Sequence, residues 1–186
     1  MPVELSRAVV LNRAGQPAPL ETYWANGPAL VFFLRHFGCV GCSEQIAELS
    51  PRLPELALGG LRAVFVGNGA PAFIDGFLER TGLATRGVDV VTDPSLVAFR
   101  AAGLVRSRWG TIGFSGLRDL ARAVGHGHLP RKAEGDLYQQ GGSLLVDADG
   151  AIAYYHRSES LGDHPAPSDL IEAALCLLVK TSAIHV

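Results

Sequence analysis

Ala29 to Leu34 is an unbroken apolar run that ends in a turn and then in Cys39-Val40-Gly41-Cys42. A strand with no polar alternation needs cover on both faces, which places it at the centre of a sheet sandwiched by helices. The residues after the turn, Ser43 to Leu49, carry apolar positions at helical spacing. Two thiols therefore sit where a buried strand hands over to a helix N-terminus. In a chain with only three cysteines, a Cys-x-x-Cys in that setting points to redox chemistry. The helix N-terminus carries unpaired N–H groups and about half a positive charge, so a thiolate there is stabilised. Arg35 and His36 lie just upstream and add positive potential if the turn folds them back. If both cysteines lie in the first helical turn they share a face, and an intramolecular disulfide fits the geometry. Cys42 shares its face with Ile46, Leu49 and Leu53, so Cys42 is expected to be the buried resolver and Cys39 the exposed nucleophile.

At 186 residues the chain suits a single domain, residues 1–186, with a sizeable core. A formal net charge of −2 gives no basic footprint for nucleic acid. No apolar run approaches the roughly 20 residues of a membrane span. Met1 to Asn12 lacks a basic region followed by a long apolar stretch, so no secretory leader is expected, and the default location is cytoplasmic. Three cysteines do not make a secreted disulfide framework.

Along the chain, Val3 to Leu11 alternates weakly and reads as a first strand. Pro51 and Pro54 predict a break and restart of the cysteine helix near Ser50. Leu61 to Val66 and Val88 to Thr92 read as further strands. A helix from Pro71 to about Arg80 follows the first, with Phe73, Phe77 and Leu78 expected in the core. A helix over Ser95 to Ala102, capped by Asp93 with Pro94 at its first position, follows the second. This alternation argues for parallel strands with right-handed crossovers. Residues 104–140 break the rhythm and read as a helical insertion or lid, with a helix from Leu117 to Val124. Ser143 to Asp147 and Ala151 to Arg157 form a hairpin about Asp147-Ala148-Asp149-Gly150. Ser168 opens a last helix whose apolar face is Leu170, Ile171, Ala174 and Leu178. The fold class is α/β: a thioredoxin-like layout, with a central mixed sheet flanked by helices and a helical insertion before the C-terminal hairpin.

The block Phe33-Leu34-Arg35-His36-Phe37-Gly38-Cys39-Val40-Gly41-Cys42 resembles the peroxiredoxin-like branch of the alkyl hydroperoxide reductase/thiol-specific antioxidant group in the thioredoxin superfamily. Asp93-Pro94, Gly135-Asp136, Gln140-Gly141-Gly142, the hairpin from Leu144 to Gly150, and His156-Arg157-Ser158 with Gly162-Asp163-His164-Pro165 extend the likeness. The resemblance implies thiol-based reduction of a peroxide or related substrate, with Cys39 and Cys42 as the redox pair. It requires no bound cofactor beyond that redox-active disulfide. Thioredoxin or glutathione is the expected reductant, and a homodimer is among the expected assemblies. The sequence departs from typical members in having His36 three residues before Cys39, where they have threonine. Gly141-Gly142 also stands where thioredoxins carry proline.

The catalytic candidates are thus Cys39, Cys42, Arg35 and His36. Gly141, Gly142 and Trp109 are the substrate-binding candidates: the glycines would let a substrate or partner backbone come close, and Trp109 would wall an apolar cleft. Protein disulfide exchange is the alternative within this class. Another class is copper or zinc handling through Cys39, Cys42 and one of His36, His126, His156 or His164. A redox-inactive scaffold that binds a partner through the insertion is the third. Cys176 reads as a spectator on the last helix.

Overall fold

A computed structural model describes residues 3–108, 125, 134–160 and 163–184. Trp109, the proposed helix from Leu117 to Val124, His126, His128 and Gly162 lie outside the described residues. The expected lid therefore does too, apart from its two ends.

Seven strands form one mixed sheet. They are β1 (Val9–Leu11), β2 (Pro17–Pro19), β3 (Ala29–Phe33), β4 (Arg62–Gly67), β5 (Asp89–Thr92), β6 (Gly142–Val146) and β7 (Ile152–Arg157). Their spatial order is β2-β1-β5-β4-β3-β6-β7. The three central strands β3, β4 and β5 run parallel, and β6 pairs antiparallel with β3 along its whole length. Helices among the described residues include α1 (Val3–Ser6), α2 (Val40–Leu49), α3 (Leu53–Leu58), α4 (Phe73–Thr81), α5 (Val97–Ala101) and α6 (Pro167–Ile184). Among the described residues no helix is long and apolar enough to cross a membrane.

The unbroken hydrophobicity of β3 has the expected cause. Leu30 and Phe32 enter a core under α2, α3, α4 and α6, where Phe32 stacks on Phe65 of β4. Ala29, Val31 and Phe33 enter a second core on the opposite face with Leu5, Val10, Trp24 and Phe99. All five residues of β3 are buried.

Four local expectations need correction. The N-terminal stretch is not one strand: Val3–Ser6 is helical and only Val9–Leu11 pairs with the sheet. Leu5 and Ala8 are its buried anchors, and their spacing of three fits a helical turn better than alternation. The helix after Asp93 starts at Val97, later than its proline. The Asp93 carboxylate still serves it, accepting hydrogen bonds from the Ser95 backbone N–H at 3.0 Å and the Ala98 backbone N–H at 2.7 Å. On α4 the buried positions are Ile74 and Phe77, while Phe73 is 37% exposed. On α6 Leu170, Ile171 and Ala174 are buried as expected, but the next buried position is Leu177, with Leu178 packed only at the margin. The break at Pro51 and the restart with Pro54 in the first turn of α3 are as the prolines predict.

Candidate active site

The C-terminal ends of β3 and β4 deliver the cysteine turn. Leu34 continues the β3 line, its N–H bonded to the Val66 carbonyl at 2.8 Å. Arg35 to Gly38 then turn the chain into α2. Cys39 is the N-cap of α2, and its sulfur accepts a hydrogen bond from the Cys42 N–H at 3.4 Å. Cys42 therefore lies in the first turn and Cys39 immediately before it. The Arg35 N–H in turn points to the Cys42 sulfur at 3.4 Å.

The burial order is the reverse of the one expected from helical faces. Cys39 is 2% exposed, whereas Cys42 is only partly buried. A cap residue need not follow the helix's apolar stripe. Here the turn that carries Cys39 is covered by a segment from far along the chain. The Phe37 N–H bonds to the Glu134 carbonyl at 3.4 Å. The Arg80 guanidinium joins both sides, reaching the Phe37 carbonyl at 3.2 Å and the Glu134 carboxylate at 2.7 Å.

The two thiols differ sharply in acidity. The hydrogen bond from the Cys42 thiol holds the Cys39 thiol down at about 6; burial opposes this, while the Arg35 charge and the backbone N–H groups of Cys42 and Gly41 assist it. The same hydrogen bond, followed by burial and by the negative charge on Cys39, pushes the Cys42 thiol well above the ordinary thiol range. The pair thus holds one proton at neutral pH, on Cys42.

Arg35 and His36 do fold back. Both are buried, at 3% and 6% exposure. The Arg35 guanidinium donates to the Leu137 carbonyl at 3.1 Å and to the Gln139 carbonyl at 3.4 Å. Burial first, then the Arg35 charge, hold His36 down at about 4, against the opposing pull of Asp136. The imidazole is neutral near pH 7, and its Nδ1 has no hydrogen-bond partner among the described residues.

Asn68, at the end of β4, is a residue the sequence pattern did not mark beyond its place in a strand-ending Gly-Asn-Gly. Its amide N–H donates to the Arg35 carbonyl at 2.5 Å, and its amide oxygen accepts from the Asp136 N–H at 2.9 Å. It therefore ties the cysteine turn to Gly135-Asp136. A buried amide at the tip of a central parallel strand is the only signal in the sequence that could have found it.

Gly141 and Gly142 are brought to the site, since Gly142 pairs with Phe33 just upstream of the turn. Their lack of side chains is used differently from the expectation. A Cβ on Gly141 would strike the Phe33 carbonyl, and one on Gly142 would lie 2.7 Å from the His156 carbonyl and from the Leu104 side chain. The space they leave is filled by the sheet's own backbone. They still line, with Cys42, Arg35, Gln45 and His164, a small cleft beside the turn. Among the described residues no group of three or more His, Cys, Asp or Glu side chains could hold a metal ion. Cys176 is exposed on α6.

A family profile described as "AhpC/TSA antioxidant enzyme" matches residues 48–160. A prostamide/prostaglandin F synthase from Sus scrofa is 30% identical, over 98% of this chain and 93% of that protein. Peroxiredoxin-like 2C from Homo sapiens is 27% identical, over 88% of this chain and 75% of its own length. Among solved structures, peroxiredoxin Q of Xanthomonas campestris superposes with a TM-score of 0.65 at 15% identity, covering 97% of this chain and 94% of that one. At that identity the likeness speaks for the fold, a thioredoxin-like α/β sheet.

Proposed function

The chain belongs to the AhpC/TSA antioxidant enzyme family, a peroxiredoxin-like group of the thioredoxin superfamily, and from that premise we propose that it is a thiol-dependent oxidoreductase that reduces a peroxide through Cys39 and Cys42. The observation that carries this reading is the unequal thiol pair: a Cys39 thiol held at about 6 beside a protonated Cys42.

The Cys39 thiolate attacks one peroxide oxygen. The O–O bond breaks, the distal oxygen leaves as alcohol or water after taking a proton, and Cys39 becomes a sulfenic acid. The Cys42 sulfur then attacks the Cys39 sulfur, the hydroxyl leaves as water, and a disulfide closes. Arg35 stabilises the thiolate by its charge. His36, neutral and with a buried Nδ1 that has no partner among the described residues, suits hydrogen bonding to the peroxide once it enters the turn. No bound cofactor enters the cycle, and thioredoxin or glutathione restores the dithiol. Because Cys39 is buried, the reacting group must be slender at its tip or meet the turn when it opens locally. One relative is named for making prostaglandin F and another as peroxiredoxin-like, so an alkyl peroxide belongs beside hydrogen peroxide as a test substrate.

The test is rapid mixing of reduced protein with each peroxide. Wild type should lose 2 Da as the disulfide closes. Cys42→Ser should stop after one turnover with a sulfenic acid on Cys39 that a dimedone probe traps. Cys39→Ser should not react. A reactive Cys39→Ser protein would sink the assignment. Slow oxidation by both peroxides, with fast reaction toward a protein disulfide, would move the reading to disulfide exchange.

A further inference from the structure

Closing the disulfide requires the Cys42 thiol to give up a proton, because the thiolate is the form that attacks. Its hydrogen bond to Cys39 first, and burial next, hold that proton tightly. The small cleft beside the turn offers the proton a destination. Cys42 and His164 both line it. Both ring nitrogens of His164 are buried with no hydrogen-bond partner among the described residues. Gln45, 9% exposed, lines the same cleft, and its amide nitrogen is in the same condition. Buried polar atoms are almost always paired, by protein, water or ligand. Three unpaired ones beside a sulfur, in a space that admits about one water molecule, suit a bound water.

The other groups facing the cleft are poorer acceptors. Arg35 offers only N–H donors. The Asp163 carboxylate is engaged: one oxygen accepts the Glu159 N–H at 2.7 Å, and the other lies 3.3 Å from Nε2 of His156. The serines there offer hydroxyls, which are far weaker bases than an imidazole. His36 is not among the lining residues. The segment that leads to His164 is fastened at its start, where the Ser158 N–H donates to the Gly141 carbonyl at 3.1 Å. We propose that His164 takes the Cys42 proton, through one water held with Gln45, as the disulfide closes. The inference rests on the redox-pair reading above and adds a residue from outside the cysteine turn. Once peroxide has made Cys39 a sulfenic acid, the Cys42 S–H gives its proton to the water, and the water gives one to a ring nitrogen of neutral His164. The Cys42 sulfur bonds to the Cys39 sulfur as the S–O bond breaks, with both electrons going to oxygen. The departing hydroxide takes a proton from solvent and leaves as water. The imidazolium returns one to solvent, so no proton is gained or lost over the step.

The experiment uses full-length reduced protein carrying Cys176→Ser, mixed rapidly with hydrogen peroxide. Dimedone trapping counts the sulfenic acid and the 2 Da loss counts the disulfide, so the two steps are timed apart. A protein that forms neither removes the redox-pair reading, and this inference with it, before any variant is compared. With His164→Gln the first step should keep its rate, while closure slows roughly 100-fold or more and sulfenic acid accumulates. The closing rate of the parent protein should level off with rising pH once the imidazole is neutral. That of His164→Gln should keep climbing with hydroxide, about tenfold per pH unit. Added imidazole should restore part of the closing rate of His164→Ala, which a merely structural role for the ring would not allow. Closure in His164→Gln as fast as in the parent would overturn the proposal. So would a slowed closure that keeps the parent's pH profile and ignores imidazole. A parent closing rate that climbs with hydroxide and never levels would do the same without any variant.

Discussion

Cys39 and Cys42 are three residues apart, yet the chain gives them opposite characters, and the difference can be measured. In protein carrying Cys176→Ser, thiolate absorbance at 240 nm should rise with an inflection near pH 6 for Cys39 and change little more until well above neutrality. Since the Cys42 thiol is the largest cause, Cys42→Ala should move that inflection upward, toward the ordinary 8.5 of a free thiol. His36 makes a separate prediction. It titrates at about 4 in the fold against an ordinary value of 6.5. Between those values the unfolded chain binds the extra proton, so stability rises with pH through this window and is lost as pH falls from 6.5 toward 4. Thermal melts over that range should show less acid sensitivity in His36→Phe than in wild type. An equal slope in the two proteins would mean His36 is not buried in its neutral form. The acidic thiol and the folded-back Arg35 were legible from the strand–turn–helix setting. The order of burial was not, because residues about a hundred positions downstream set it.

At the scale of elements, the turn between β3 and α2 is held by what packs on it rather than by its own sequence. Asn68 spans from the Arg35 carbonyl to the Asp136 backbone. Asn68→Ala would leave those buried groups unpaired, at a cost of about 1–3 kcal/mol. Its oxidation by peroxide should slow more than the stability loss alone would cause, as stopped-flow and urea titration together can separate. Gly67 makes the complementary point. A Cβ there would fall on the Phe37 ring. Gly67→Ala should therefore cost about 1–3 kcal/mol by overpacking and push Phe37 against the cysteine turn. The sequence displays the elements where the cause is local, as in the apolar β3, the prolines between α2 and α3, and the Asp147–Gly150 hairpin. It hides them where the cause is remote, as in the use of Gly141 and Gly142 to admit the sheet's own carbonyls.

At the scale of the whole molecule, the described residues of the sheet carry a core on each face, with the strands between them. Phe65 is fully buried on one side and Phe99 on the other. Truncating either to alanine should cost about 3–5 kcal/mol. If the sheet binds both cores into one cooperative unit, both variants should lower the urea midpoint with the slope unchanged. A second transition in either would divide the faces. The distance along the chain between the cysteine turn and the groups that hold it carries a further consequence. Arg35 is fixed by carbonyls 102 and 104 residues downstream. A ribosome adding roughly 5–20 residues per second exposes Cys39 for seconds before Leu137 and Gln139 exist. During that interval Arg35 lacks the two carbonyls that anchor it beside the cysteine turn. On the proposed peroxide-reducing role, sensitivity to peroxide would begin only when synthesis has delivered the far end of the sheet.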